Sequence, residues 1–440
     1  MEPGGGPDGS TVVVDGLSID SRTLRPGQLF AAVSGARDGH DYVADAVAAG
    51  AGACLVERVD AGALAGTPAI VVPSVDRALA DLARLVRSRI DATASGRVVG
   101  VTGSVGKTTT KDLLASVLRR RFLTAASEKS FNNELGVPLT LANAPDGVEA
   151  VVVEMGARGH GHVRTLCDLA APSVGVVTLV AAVHSEFMGG VDRIAEAKSE
   201  LVESLPADGV AVLNADDPRV AAMAGVTAAR VVTFGTAGDV RATDVRLDDD
   251  LCARFTLHVP GGSAAVRLGV RGEHNVANAL AAAAAAGVLG VEVGEIAAGL
   301  ADPELSPWRM ELTHAPSGLV VLNDAYNANP TSMLAALRSL AALDAARRVA
   351  VLGYMAELGA DEATEHRRVA GAAAELGLEV VTVGTDLYGV PPVDGIDGVL
   401  QALAGLGAGD AVLVKASRSA GLERIAAALS DSPGGPGPAA

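Results

Sequence analysis

Aromatic side chains are nearly missing: one Trp, four Tyr and six Phe stand among 440 residues. Large rings cannot build the cores of this chain, so its 49% hydrophobic content must do so through Ala, Val and Leu. Cysteine is scarce too. Cys54, Cys167 and Cys252 lie far apart, are odd in number and form no C-x-x-C, which argues against a disulfide framework or a structural zinc site and for a reducing compartment. Basic residues are outnumbered, 35 Lys and Arg against 52 Asp and Glu, for a formal net charge of −17. Such a surface repels phosphate backbones, so no nucleic-acid partner is expected, although a local basic pocket for a small anion remains open. A membrane span is also lacking. Mean hydropathy is +0.33, but the alanine-rich stretch at 279–291 is broken by Gly287 and Gly290 and reads as a tightly packed helix. The opening MEPGGGPDGS has neither a basic region nor an apolar run, so no secretory signal is expected. The expected setting is the cytoplasm, without membrane insertion.

What is present is alternation. Val98–Thr102, Ala150–Glu154, Val174–Leu179, Gly209–Leu213, Arg348–Leu352 and Ala411–Lys415 read as strands, with Lys107–Arg120, Asn275–Ala286 and Ser332–Ala342 as helices among them. This pattern predicts an α/β fold with largely parallel sheets. Between 230 and 272 the runs RVVTFGT, DVRATDVRLD, CARFTLHV and AAVRLGV alternate like hairpins and predict an antiparallel insertion. Polar DATASGR at 91–97 and proline-interrupted ELSPWRMEL at 304–312 mark seams. Three domains are expected, at 10–95, 96–305 and 306–431, with Gly- and Pro-rich tails at 1–9 and 432–440 read as disordered.

Residues 100–110, GVTGSVGKTTT, place a glycine loop between a strand and a helix. Backbone N–H groups and the positive end of a helix suit phosphate oxygens. The cradle would be Gly103, Ser104, Val105, Gly106, Lys107, Thr108 and Thr109, with Lys107 on the β- and γ-phosphates and the Thr108 hydroxyl on Mg²⁺. The loop is shorter than the common form, because Val101 stands where the first glycine is usual. Glu154 ends the strand AVVVE, where α/β proteins place ligands, and His184 follows the apolar TLVAAV. Both are candidate metal ligands; the plainer alternatives are a surface carboxylate and a structural histidine.

The motifs TGSVGKTTTK, SFNNELGVP, VVVEMGARGHG, AAVHSEF, AEAKSE, VLNADD, RGEHNVANALAAA, NDAYNANP, LGYMAELG and VLVKASR follow one another over most of the chain. This set resembles the Mur ligase family of peptidoglycan synthesis. The resemblance implies an N-terminal uridine-nucleotide-binding α/β domain, a central P-loop ATPase domain with a mostly parallel sheet, and a C-terminal Rossmann-like α/β domain. It implies ATP-driven amide formation: a carboxylate becomes an acyl phosphate, and an amine then displaces phosphate. The implied partners are a UDP-linked muramoyl-peptide and a D-amino-acid dipeptide or related amine, handled by a monomer.

On that template the catalytic set is Lys107, His184, Lys198 and Arg309, with Thr108, Glu154, His184 and Lys198 on two Mg²⁺ ions. Lys198 of AEAKSE aligns with a lysine carried as a carbamate. Asn275, helped by Asn278, falls on the adenine side, an N-cap being the alternative. Arg309 is expected near the phosphates and Asp324 near the ATP ribose, with Tyr326, Asn327 and Asn329 shaping the same loop. Ser21 and Arg22, with Asp38, Gly39 and His40, match uridine-side motifs. Asn132 and Asn133 match a substrate loop. Lys415, Ser417 and Arg418 are expected to face the incoming amine or ATP.

Three stretches depart from the family pattern. Tyr354 replaces a usual aspartate, Asn323–Asp324 replaces an acidic pair, and TLVAAVH lacks the usual asparagine and glycine. Two other readings stay open here: a paralogue forming a related amide in a specialised-metabolite pathway, and a nucleotide-binding regulatory partner.

Overall fold

The computed structural model describes residues 12–35, 37–94, 97–128, 130–181 and 189–431. The expected tails and His184 lie outside the described residues. Three α/β units follow one another. The first has four short parallel strands in the order Leu17–Ser18, Leu29–Ala31, Ala53–Val56, Ala69–Val71. The helix Val75–Ala94 then leads to the second unit.

The second unit is built on six parallel strands, ordered Arg230–Phe234, Val210–Asn214, Val174–Val177, Val98–Thr102, Ala150–Glu154, Thr124–Ala126. Strands buried on both faces read as continuous apolar runs, which is how Val98–Thr102 and Ala150–Glu154 were legible. The helix Lys107–Leu118 covers one face beside the alanine-rich helix Asn275–Val288. Ala279 and Ala281 to Ala286 are all buried there, so the small side chains that replace aromatics allow close helix contact.

The antiparallel insertion is smaller than expected. Its sheet holds Arg241–Leu247, Cys252–Val259 and Gly262–Arg271. Arg230–Phe234, expected to join it, pairs parallel with Val210–Asn214 instead. The run RVVTF buries Val232 and Phe234 in the central core while its other positions are less buried, and a half-covered edge strand alternates just as a hairpin strand does.

The third unit is a five-stranded sheet, Glu311–His314, Val320–Asn323, Ala411–Lys415, Arg348–Leu352, Glu379–Thr382. Only Glu311–His314 pairs antiparallel. Pro330–Ala342 and Glu362–Glu375 cover one face, while Gly395–Ala402 and Glu423–Asp431 cover the other. The α/β class read from the sequence is therefore the fold seen. All three cysteines are buried and free. Among the described residues, no helix is long and apolar enough to cross a membrane.

Candidate active site

Thr102 and Glu154 end adjacent strands of the central sheet, and the loop after Thr102 turns back into a helix that starts at Lys107. Two glycines make that turn possible. Gly103 has φ 147° and Gly106 φ 87°, and a Cβ would stand 1.9 Å from Thr178 Oγ1 at the first and 2.2 Å from Asn278 Oδ1 at the second. Ser104 N donates to Leu179 O at 2.6 Å, and Thr178 Oγ1 donates to Val105 O at 2.6 Å, so the neighbouring strand end holds the loop. Lys107 Nζ curls back to Gly103 O at 2.9 Å. Burial pushes its ammonium below the ordinary lysine value, with Glu154 opposing and Arg309 adding to the push.

Glu154 is buried, and both carboxylate oxygens are engaged. Thr108 Oγ1 donates to Oε2 at 2.7 Å, and Asn132 Nδ2 donates to Oε1 at 2.8 Å. Lys198, 2% exposed, comes from the helix Val191–Glu203. Its amine is held well below the usual lysine value by burial and by the charge of Lys107. Among the described residues no group of three or more His, Cys, Asp or Glu is placed to hold a metal ion by itself. A cation here would rest on Glu154, the Thr108 hydroxyl and oxygens from elsewhere, which fits magnesium, an ion that takes few protein carboxylates alongside phosphate oxygens and water.

The third unit closes the other wall of a cleft of about 800 Å³. Arg309 Nη2 donates to Thr108 Oγ1 at 2.8 Å, its guanidinium lies 4.3 Å from the Tyr326 ring centre, and its buried Nε has no hydrogen-bond partner. Tyr326 hydroxyl hydrogen-bonds Ser130 Oγ of the central unit. Lys415 forms an ion pair with Asp324 and donates to Asn327 O at 2.8 Å. Arg418 stacks 4.3 Å over Trp308. Ser417 Oγ accepts from Ala356 N at 2.8 Å. Asn329 lines the cleft and caps the helix Pro330–Ala342. The lining carries the basic residues Lys107, Arg158, Lys198, Arg309, Lys415 and Arg418 against Glu134, Glu154, Asp324 and Glu357, so basic residues outnumber acidic ones locally in a chain where acids prevail overall. This is the basic pocket for an anion that the composition left open.

Asn275 and Asn278 also line the cleft. Asn278 Nδ2 donates to Asn275 Oδ1 at 2.7 Å, and Asn275 Nδ2 donates to Arg271 O at 2.6 Å. Asn275 is the first residue of its helix rather than the N-cap, which is His274. Asn132 and Asn133 border the same space. Ser21, Arg22, Asp38, Gly39 and His40 do not line it. They stay in the first unit, where Asp38 accepts from Arg58 Nη2 at 2.6 Å and from His40 N at 3.0 Å. Arg22 makes a two-pronged contact with Asp20 at 2.9 and 2.7 Å, and its side chain is 85% exposed.

Tyr354 is absent from the cleft lining as well. Its hydroxyl donates to Glu362 and its ring stacks on His366 at 5.5 Å, so this departure from the family pattern takes no group out of the cleft. Sequence reasoning missed Ser130, Thr178 and Glu357. Ser130 opens the quoted SFNNELGVP, yet nothing in that motif announces its contact with Tyr326.

Three segments match domains of one family: residues 13–87 the "Mur ligase family, catalytic domain", 101–286 the "Mur ligase middle domain", and 308–429 the "Mur ligase, glutamate ligase domain". The UDP-N-acetylmuramoyl-tripeptide–D-alanyl-D-alanine ligase of Mycobacterium tuberculosis is 42% identical, over 94% of this chain and 91% of its own length. That of Escherichia coli is 35% identical, over 96% and 95%. A crystal structure of MurF from Acinetobacter baumannii superposes with a TM-score of 0.82 at 32% identity, covering 94% of this chain and 93% of that one. MurF ligase from Thermotoga maritima in complex with ADP gives 0.77 at 27% identity, covering 96% and 98%.

Proposed function

The chain belongs to the Mur ligase family, and we propose that it joins D-alanyl-D-alanine to UDP-N-acetylmuramoyl-tripeptide in peptidoglycan precursor synthesis, releasing ADP and phosphate. Relatives matching almost the whole chain carry that activity in their names, and one solved neighbour holds ADP. The observation that carries the reading is the contact chain Arg309–Thr108–Glu154, in which a cation of the third unit reaches the phosphate loop of the second. The three matched segments support domains at 10–95, 96–305 and 306–431. One chain supplies both walls of the cleft, which supports a monomer, and UDP-linked and ATP substrates support a cytoplasmic setting.

A terminal carboxylate oxygen of the tripeptide attacks the γ-phosphorus of ATP, and ADP leaves. The amine nitrogen of D-alanyl-D-alanine then attacks the acyl carbon. Phosphate leaves with the former carboxylate oxygen, and the amine gives up a proton. Two anions must meet in the first step, so the barrier is largely electrostatic. Lys107 and Arg309 face that meeting point from opposite walls. The orphaned Nε of Arg309 is a donor suited to a phosphate oxygen. Asn275 and Asn278 suit the adenine, and Asp324 the ribose. Closure of the third unit over the loop would keep water from the acyl phosphate.

Thr108 and Glu154 suit a magnesium ion, with His184 as a further ligand and Lys198 on a second ion. Magnesium, when bound, would offset phosphate charge and leave the γ-phosphorus open to attack. A neutral Lys198 amine adds carbon dioxide with loss of a proton and becomes a carbamate. Its burial beside Lys107 favours that neutral form. Ser21, Arg22, Asp38, Gly39 and His40 serve the uridine end, Asn132 and Asn133 the peptide, and Lys415, Ser417 and Arg418 the amine. Purified protein with UDP-MurNAc-tripeptide and a panel of amines should release ADP only when D-alanyl-D-alanine is present. Release with a different amine alone would move the chain to the paralogue reading.

A further inference from the structure

The linker between the second and third units is fastened to the helix that carries the phosphate loop. Glu304 N donates to Ser116 Oγ at 2.9 Å. Ser306 N donates to Asp112 Oδ2 at 2.8 Å, and Ser306 Oγ to Asp112 Oδ1 at 3.3 Å. Asp112 and Ser116 are four residues apart and so share one face of the helix that begins at Lys107 and Thr108. Three residues beyond Ser306 comes Arg309, flanked by Trp308 at φ 60° and Met310 at φ 54°. Such a left-handed backbone at non-glycine residues persists only where its surroundings impose it.

Asp112 is also tied to Glu154 of the cleft. It is 6% exposed and pairs with Lys111 Nζ at 2.7 Å. Lys111 Nζ donates to Ser127 O at 2.6 Å, and Ser127 Oγ accepts from Glu154 N at 3.1 Å. Glu154 accepts from Thr108, and Thr108 accepts from Arg309. The contacts close into a ring running from linker to helix, from helix to Glu154, and from Glu154 through Thr108 back to Arg309. A buried carboxylate holding a backbone N–H of the linker is a firmer anchor than the exposed Arg119–Glu304 pair beside it, which is screened by water.

We propose that Asp112 is a positioning residue for the ligation: with Ser116 it clamps the linker at 304–306 and so sets where Arg309 enters the cleft. This rests on the function proposed above. Only Pro307 and Trp308 separate the clamp at Ser306 from Arg309, so a small slip of the linker moves Arg309 off Thr108. Misplacements near 1 Å are enough to slow enzymes by up to about 100-fold.

The test compares wild type with Asp112→Asn, Ser116→Ala, Arg309→Lys and the Asp112→Asn/Arg309→Lys pair. Asp112→Asn keeps the shape of the side chain and guards against simple unfolding. It should lower kcat by about tenfold or more, while the Kd for ADP and the KM for ATP stay within about twofold. Amide hydrogen exchange across 303–310 should speed up in both Asp112→Asn and Ser116→Ala. The double variant should lose little more than Arg309→Lys alone, because both act through one group. An unchanged kcat, ADP affinity that falls in step with kcat, additive losses or unchanged exchange each overturn the proposal. A wild type that releases no ADP with any substrate defeats the ligase reading instead, and exchange across 303–310 alone then decides the clamp.

Discussion

The cleft and the Asp38 cluster treat charge in opposite ways. In the cleft, Lys107 and Lys198 stand near each other, both held below the ordinary lysine value chiefly by burial, with Arg309 close by. At Asp38, a hydrogen bond from Arg58, helped by His40, holds the carboxyl well below its usual range. The first arrangement is short of anions and the second is complete within the protein. A region short of anions is built to receive one, whereas a satisfied exposed pair mainly shapes its loop. On the function proposed above, the cleft would set the rate, and the first unit, outside the cleft lining, would hold the distant end of the substrate.

The largest blow to this contrast should come from Lys107→Ala. Substrate-dependent ADP release should fall by about 1,000-fold, and retained release would remove Lys107 from the phosphate site. Next in size is Lys198→Ala, with a loss on the order of 100-fold. Added acetate or formate should restore part of that rate, because a small carboxylate can replace the oxygens of the proposed carbamate. Recovery by methylamine rather than by carboxylates would point to a lysine working as a cation.

In the first unit the effect should appear on binding. Arg22→Ala should raise KM for the UDP-linked substrate by about tenfold, or ~1.4 kcal/mol, with kcat unchanged. A fall in kcat with KM unchanged would erase the division between the two regions. The smallest effect concerns stability. His366 is fully buried, accepts from Met355 N at Nε2 (3.0 Å) and contacts Glu362 O through Nδ1 (2.7 Å), so its neutral form is the one that fits. Burial lowers its pKa in the folded state, so the unfolded chain binds the extra proton more readily. Stability from this group is present above the unfolded value of about 6.5 and is lost as pH falls from there through the lower folded value. His366→Gln should therefore flatten the drop in melting temperature below pH 6.5, an effect of about 1 kcal/mol.

Much of the framework was legible because burial on both faces leaves unbroken apolar runs. Val98–Thr102, Ala150–Glu154, Arg348–Leu352 and Ala411–Lys415 are strands with the bounds expected from sequence. Val174 to Leu179 ends two residues early as a strand, because Thr178 turns to hold the phosphate loop. Arg230–Phe234 misled because alternation does not distinguish a parallel edge strand from a hairpin strand. In the site, Lys107, Thr108 and Glu154 followed from strand, loop and helix context. The contacts of Asn132 with Glu154, Ser130 with Tyr326 and Asp112 with Ser306 join residues 22 to 196 positions apart, and no local pattern encodes such pairings.

Oxygen transfer tests the central claim most directly. The terminal carboxylate of UDP-MurNAc-tripeptide would be labelled with ¹⁸O and the released phosphate weighed by mass spectrometry. If that carboxylate takes the γ-phosphoryl group, each phosphate released in step with product carries one ¹⁸O. Unlabelled phosphate formed alongside product would contradict the account.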